Sequence, residues 1–169
     1  MLLSLAKIID CPGGTVPFET DLDLHDLAFG GGFPVTEPVR VSGEVKNTAG
    51  VLQLTGREVT TLHGVCDRCA SEFDRAVSFP VQAVLVSELA NDNGDEDLWT
   101  FQLSGNDADL DDILTTAFVL NMDSKLLCRE DCKGLCCRCG KNLNDGSCDC
   151  QPELDPRFAV LRQLLKDKK

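Results

Sequence analysis

The stretch Val39-Arg-Val-Ser-Gly-Glu-Val-Lys-Asn-Thr-Ala-Gly-Val-Leu-Gln-Leu54 decides the fold class. Val39, Val41, Gly43 and Val45 alternate with Arg40, Ser42, Glu44 and Lys46, the two-residue period of a strand with one buried face. Asn47-Thr48-Ala49-Gly50 carries turn chemistry, and Val51, Leu52 and the run from Leu54 to Val65 lead back. Residues 39–65 are therefore expected to form one long hairpin. Further out, Phe73 to Val86 is another β-branched and aromatic run, interrupted by Pro80, which suits an edge or a bulge. Trp99, Phe101 and Leu103 alternate again.

Between these runs lies the acidic stretch Asn91 to Asp97. Its alternating Asp and Asn residues invite a calcium reading, but the twelfth position counted from Asp92 is Leu103, where such a loop needs Glu. A solvated surface loop is expected instead. Leu110, Ile113, Leu114, Ala117 and Phe118 recur at helical spacing behind Asp107 or Asp109 as a cap, and predict an amphipathic helix. Asp155-Pro156-Arg157 opens a second, with Phe158, Leu161, Leu164 and Leu165 on its apolar face. The expected fold class is α+β: an antiparallel, β-rich domain, barrel-like or open, with two helices and a cysteine-rich zinc-knuckle insert. The chain is expected to divide into an acidic β-rich domain, residues 1–124, and a cysteine-rich segment with a C-terminal helix, residues 125–169.

Charge follows the same division. The net charge is −12, but residues 1–124 carry a balance of −15 and residues 125–169 a balance of +3. The acidic body repels nucleic-acid phosphates and attracts basic proteins, so only the C-terminal third is suited to approach RNA. No run reaches the ~20 apolar residues of a membrane span. Residues Met1 to Asp10 have no basic start and no small-residue cleavage site, so a cytoplasmic location is expected. There, clustered thiols bind metal more often than they form disulfides.

Seven of the ten cysteines crowd into residues 128–150. Cys136-x-x-Cys139-Gly140 is the firmest element: two intervening residues let the backbone curl so that both sulfurs reach one ion, and glycine relieves crowding after the second. Cys148-x-Cys150 offers a completing pair across the Asn144-Asp145-Gly146 turn, and Cys128 and Cys132 offer a rival pair. Four of these six are expected to hold one ion, with a two-metal cluster or a shared ligand as the alternatives and Cys137 a spectator. The segment has only Leu135 and Leu143 as large apolar side chains, too few to order it without a cross-link. Zinc is favoured over iron, and the site is expected to be structural, since an all-cysteine tetrad leaves no open position. The only histidines, His25 and His63, are distant in sequence. No paired carboxylates or histidine constellation suggests an enzyme or a small-molecule substrate.

Cys66-Asp67-Arg68-Cys69 falls at a turn between two expected strands. It reads as a packed turn, as half of a second metal site with His63 or Cys11 as conceivable partners, or as a redox pair. The redox reading expects a helix after the motif, where Ala70 to Ser78 reads as strand.

Several of these motifs together resemble one family. Cys66-Asp-Arg-Cys69, Cys132-Lys-Gly-Leu-Cys136, Cys139-Gly-Lys-Asn-Leu-Asn144, Cys148-Asp-Cys150 and Asp155-Pro-Arg-Phe-Ala-Val-Leu161 look like the bacterial YceD family, large ribosomal RNA subunit accumulation proteins, in its Gram-positive type. The resemblance spans roughly residues 35–165. It departs at Cys137, where the family often has proline. It implies a non-enzymatic role in accumulation or processing of large-subunit (23S) ribosomal RNA, and it makes Cys66, Arg68 and Cys69 motif residues. The partner would be precursor ribosomal RNA, met by Lys133, Arg138 and Lys141, or a basic ribosomal protein. The alternatives are a metal-stabilised adaptor without RNA contact and a thiol redox protein using Cys66 and Cys69.

Overall fold

A computed structural model describes residues 1–87 and 99–150. The expected hairpin is there: β3 (Val39–Thr48) pairs antiparallel with β4 (Val51–Val65). Ala49 and Gly50 form its two-residue loop, both at positive φ (54° and 94°), the mirror-image turn whose twist matches the flanking strands. Asn47 locks this turn to the N-terminal segment. Its Oδ1 accepts from the Gly50 amide at 2.8 Å, and its Nδ2 donates to the carbonyls of Ile8 (2.7 Å) and Ile9 (3.0 Å). The side chain is thereby satisfied although wholly buried.

Two more strands extend the hairpin into a meander, β2 (Thr15–Leu22) beside β3 and β5 (Glu72–Val86) beside β4. The last strand, β6 (Trp99–Gln102), runs parallel to β5, so the five-stranded sheet is mixed, not wholly antiparallel. Its order, β2-β3-β4-β5-β6, leaves it open among the described residues. Pro80 lies on β5 ahead of the stretch that pairs with β6, residues 83–86, and its carbonyl accepts from Asn121 at 3.1 Å. The missing amide of Pro80 therefore costs no ladder bond, as the edge reading of this residue requires.

One face of the sheet carries the core. Val39, Val41, Val45, Leu52, Leu54, Leu62, Val81, Ala83 and Leu85 are buried there. At Gly43 a Cβ would lie 2.5 Å from the Thr55 carbonyl and 2.9 Å from the Phe18 ring, so this break in the valine run makes room for close strand approach. Helix α1 (Leu110–Asn121) covers part of the face. Asp109 caps it, accepting from the Asp111 amide at 3.2 Å. The apolar stripe Leu110, Ile113, Leu114, Ala117 and Phe118 is its buried side, with Phe118 set edge-on to Phe79 at 5.4 Å. Its first turn is tied to the N-terminus through a small second sheet, β1 (Leu2–Ser4) with β7 (Asp107–Asp109), and by the Met1 ammonium, which donates to Asp111.

Among the described residues α1 is the one helix, where two were expected. The second expected helix, from Asp155 onward, and the acidic loop Asn91 to Asp97 both lie outside the described residues. No described helix is long and apolar enough to cross a membrane.

One core position breaks the alternation. Glu58 lies on β4 between Val41 and Phe79, is 1% exposed, and its carboxyl oxygens have no hydrogen-bond partner among the described residues. Burial pushes its pKa up to about 8. An unfolded chain releases this proton near the ordinary carboxylate value, while the folded chain holds it. Folding stability therefore falls as pH rises from about 4.5 towards 8. Glu58→Gln should unfold at the same urea concentration as the parent at pH 4 and be more stable at pH 8, by on the order of 1 kcal/mol.

Candidate metal centres

Both Cys-x-x-Cys motifs fold into the same knuckle. In the first, which joins β4 to β5, the Ala70 amide donates to the Cys66 carbonyl at 2.8 Å and the Cys66 amide donates to the Ser71 carbonyl at 2.9 Å. In the second, the Gly140 amide donates to Cys136 at 2.9 Å and the Cys136 amide donates to Lys141 at 2.8 Å. The residue after the second cysteine is left-handed in each, Ala70 at φ 54° and Gly140 at φ 71°. This curl turns amides towards the first sulfur, as where the Arg138 amide donates to Cys136 Sγ at 3.5 Å.

Each knuckle meets a second pair of cysteines. Cys66 Sγ lies 3.8 Å from Cys132 Sγ, and Cys69 Sγ lies 3.7 Å from Cys128 Sγ. Cys136, Cys139, Cys148 and Cys150 form the other group, and within each group all four sulfurs lie within 4.8 Å of one another. A zinc ion with four thiolates at about 2.3 Å sets its sulfurs about 3.8 Å apart, the length of the Cys66–Cys132 and Cys69–Cys128 edges of the first group. Donor type, donor count and spacing fit a structural metal centre compatible with zinc, with no fourth position left for water or substrate. The two groups differ in exposure: Cys66, Cys69 and Cys132 are buried, while Cys139 and Cys150 are exposed.

Here the structure departs from the local reading of spacing. One tetrad drawn from Cys128, Cys132, Cys136, Cys139, Cys148 and Cys150 was expected; all six lie in tetrads, because Cys128 and Cys132 face the distant Cys66–Cys69 knuckle. Cys11 and Cys137 are exposed and lie outside both groups. His63 also lies outside them, its Nδ1 2.6 Å from Asp74. A signal for the second centre was present in the chain. Cys66-Asp-Arg-Cys69-Ala and Cys136-Cys-Arg-Cys139-Gly share the pattern Cys-x-Arg-Cys followed by a small residue, and Cys128–Cys132 and Cys148–Cys150 are the two pairs left over.

The thiols in each group are electrostatically unequal. Burial works to raise the Cys66 thiol, yet amides of Cys128, Arg68 and Cys69 bring it down to about 6. Amides of Cys139 and Arg138 hold Cys136 at about 6. Burial and the neighbouring sulfurs push Cys128 up to about 12, and Cys139 chiefly does the same to Cys150. Four thiolates so close repel one another, and a cation between them removes that opposition.

Polar contacts seat the first knuckle on the segment that completes it. The Asp67 amide donates to the Leu126 carbonyl at 2.8 Å, and the Leu126 amide donates to Asp67 Oδ2 at 2.7 Å. Arg68 donates to the carbonyls of Cys132 (3.1 Å) and Glu130 (3.3 Å), so this motif residue fixes a ligand strand. Lys133, Arg138 and Lys141, the expected RNA contacts, are exposed around the second group, where Lys141 Nζ donates to the Ser147 carbonyl at 2.8 Å. A hollow of about 320 Å³ beside the first group is lined by Arg68, Arg75 and Lys125 with Asp123 and Glu130.

Fold and sites together define, among the described residues, an open, mostly antiparallel sheet whose β4–β5 turn carries one cysteine knuckle against Cys128 and Cys132, with a second four-cysteine group following in the chain. The chain belongs to the YceD family: the family model described as "Large ribosomal RNA subunit accumulation protein YceD" matches residues 54–165. It is similar to a chloroplastic protein of Zea mays named large ribosomal RNA subunit accumulation protein YCED homolog 1, at 26% identity over 158 residues, 76% of this chain and 54% of that one. The Arabidopsis thaliana protein of the same name is 25% identical over 160 residues, 78% of this chain and 50% of its own. An uncharacterized protein of Mycobacterium tuberculosis is 29% identical over 117 residues, 69% of this chain and 56% of its own. The chain thus spans about half the length of the curated relatives it matches. No solved structure matches it.

The two knuckles make the same left-handed demand and meet it with different residues, Ala70 and Gly140. Ala70→Gly should relieve strain and raise the unfolding free energy from urea titration by about 0.5–1 kcal/mol, while Gly140→Ala should weaken metal retention by the second group without lowering that free energy comparably. Unchanged stability in Ala70→Gly together with unchanged metal retention in Gly140→Ala would show that the knuckle geometry does not constrain the protein.

Proposed function

We propose that this chain is a non-enzymatic factor for the accumulation of large-subunit (23S) ribosomal RNA, held in shape by two structural zinc ions and acting in the cytoplasm. The observation that carries this reading is the joining of the family's Cys66-Asp-Arg-Cys69 knuckle to the basic segment by a four-cysteine group. The metal then acts as a clasp: it fixes residues 125–150, which have little apolar content of their own, against the end of the hairpin. The names of the plant relatives, which concern large ribosomal RNA subunit accumulation, support the same role.

Charge supports a division of labour. Lys125, Lys133, Arg138 and Lys141 are exposed around the cysteine groups and suit RNA phosphates. Glu19, Asp21, Glu44, Glu72 and Asp74 project from the solvent side of the sheet and suit a basic ribosomal protein. A metal-stabilised adaptor that binds protein alone is the reading favoured if only the acidic side matters. A thiol redox role has less support, because Cys66 and Cys69 each have a sulfur of the C-terminal segment within 3.8 Å.

Purified protein should contain two zinc ions per chain by elemental analysis, and Cys66→Ser and Cys148→Ser should each reduce that count. Replacing Lys133, Arg138 and Lys141 by Glu should leave zinc content unchanged. It should weaken binding to precursor large-subunit RNA and flatten the dependence of log affinity on log salt by about 2–3. Unchanged RNA binding with intact zinc would favour the adaptor.

A further inference from the structure

Two cysteine groups adjacent in sequence need not influence one another, but here one side chain reaches from the second group to a sulfur of the first. Only Lys133, Gly134 and Leu135 separate Cys132 from Cys136. Asn144 belongs to the loop between Cys139 and Cys148, yet its Nδ2 donates to Cys132 Sγ at 3.3 Å. The same nitrogen donates to Asn142 Oδ1 at 2.8 Å, and Oδ1 of Asn144 accepts from the Lys133 amide at 2.8 Å. These contacts fix the orientation of the carboxamide. The Lys133 amide can only donate, so the atom facing it is the oxygen, and the NH₂ end faces the sulfur.

The loop bearing Asn144 is positioned by the second group. Its backbone is held by the Leu143 amide donating to Gly134 at 2.9 Å and by the bond from Cys136 to Lys141 within the knuckle. Leu143 is its one large apolar side chain and is only half-buried, so packing alone cannot hold it. The linker in turn rests on the first knuckle. The Leu135 amide donates to the Arg68 carbonyl at 3.0 Å, and a Cβ on Gly134 would lie 2.9 Å from that same oxygen. Hydrogen bonds from outside a metal's ligands orient those ligands and hold their charge.

We propose that Asn144 couples the two centres, so that closing the second around its metal delivers a hydrogen bond to Cys132 and strengthens metal binding by the first. This rests on the reading of both groups as metal centres. Asn144 is a positioning residue, acting on the metal through Cys132. The coupling is reciprocal: a filled first centre anchors Cys132 and Lys133, and so pre-forms the seat that the Asn144 loop occupies.

The test titrates the full metal-free chain anaerobically with cobalt(II). Sulfur-to-cobalt charge-transfer absorption counts thiolate ligands, and a Cys66→Ser, Cys69→Ser variant identifies the signal of the second centre alone. Asn144→Asp retains an acceptor for the Lys133 amide but cannot donate to sulfur. It should weaken the first centre about 10–100-fold and shift its charge-transfer band to lower energy with four thiolates still bound. Cys148→Ser with Cys150→Ser should cause the same loss and the same shift, and adding Asn144→Asp to that pair should cause no more. Asn144→Ala, which removes the group without adding charge, should behave likewise. First-centre affinity indifferent to the second pair, or losses that multiply when combined, would overturn the coupling while leaving two metal centres in place. Failure of the chain to bind cobalt at its cysteines would remove the metal reading and the coupling with it.

Discussion

Cys66 and Cys69 stand at the end of a long hairpin, and their sulfurs lie against Cys132 and Cys128, partners 66 and 59 residues away in the chain. That contact joins two parts that are otherwise unlike. One is a sheet with an ordinary apolar face, able to hold its shape through Val39, Val41, Leu54, Leu62, Phe118 and their neighbours. The other is a cysteine-rich segment, residues 125–150, whose buried apolar side chains are Leu126 and Cys132. Asp67 adds two hydrogen bonds with Leu126 at the seam and Arg68 three more, to Glu130, Cys132 and Leu135, each of modest worth. Four sulfurs, two from each part, meet at that seam.

The sheet itself was legible because its grammar is local. Alternation over residues 39–46, a turn sequence at 47–50 and a β-branched return need no knowledge of the rest of the chain. The helix was legible for the same reason, down to the five residues of its buried side, with the cap narrowed to Asp107 or Asp109, of which the structure uses Asp109. Two features of the sheet were not. The parallel pairing of β5 with β6 is set by a connection that periodicity does not encode, and Glu58 continues the inward-facing side of β4 at a position where alternation predicts an apolar residue.

The cysteine groups show the same boundary from the other side. Local spacing correctly marks Cys136, Cys139 and Gly140 as a knuckle, but it cannot say which pair completes it. Cys128 and Cys132 sit closer in sequence to Cys136 than Cys148 and Cys150 do, and still they turn to the hairpin. The choice depends on where the helix leaves the chain, with Leu126 in the main core and held by both polar atoms of the Asp67 turn. Cys66–Cys69 read as half of a second metal site without its partners, and the internal echo of Cys-x-Arg-Cys marks the two knuckles as alike.

The wide separation of the first group's halves also has a meaning in time. A chain grows from its N-terminus at roughly 5–20 residues per second. The two thiols of Cys66 and Cys69 are therefore in the chain on the order of 3–13 s before Cys128 and Cys132 have been added. During that interval the Cys66–Cys69 knuckle is a half-built site, open to any soft cation or oxidant it meets. The second group is spelled within fifteen residues and has no such wait. Synthesis order alone thus makes one centre a late closure on an old surface and the other a structure formed as it emerges.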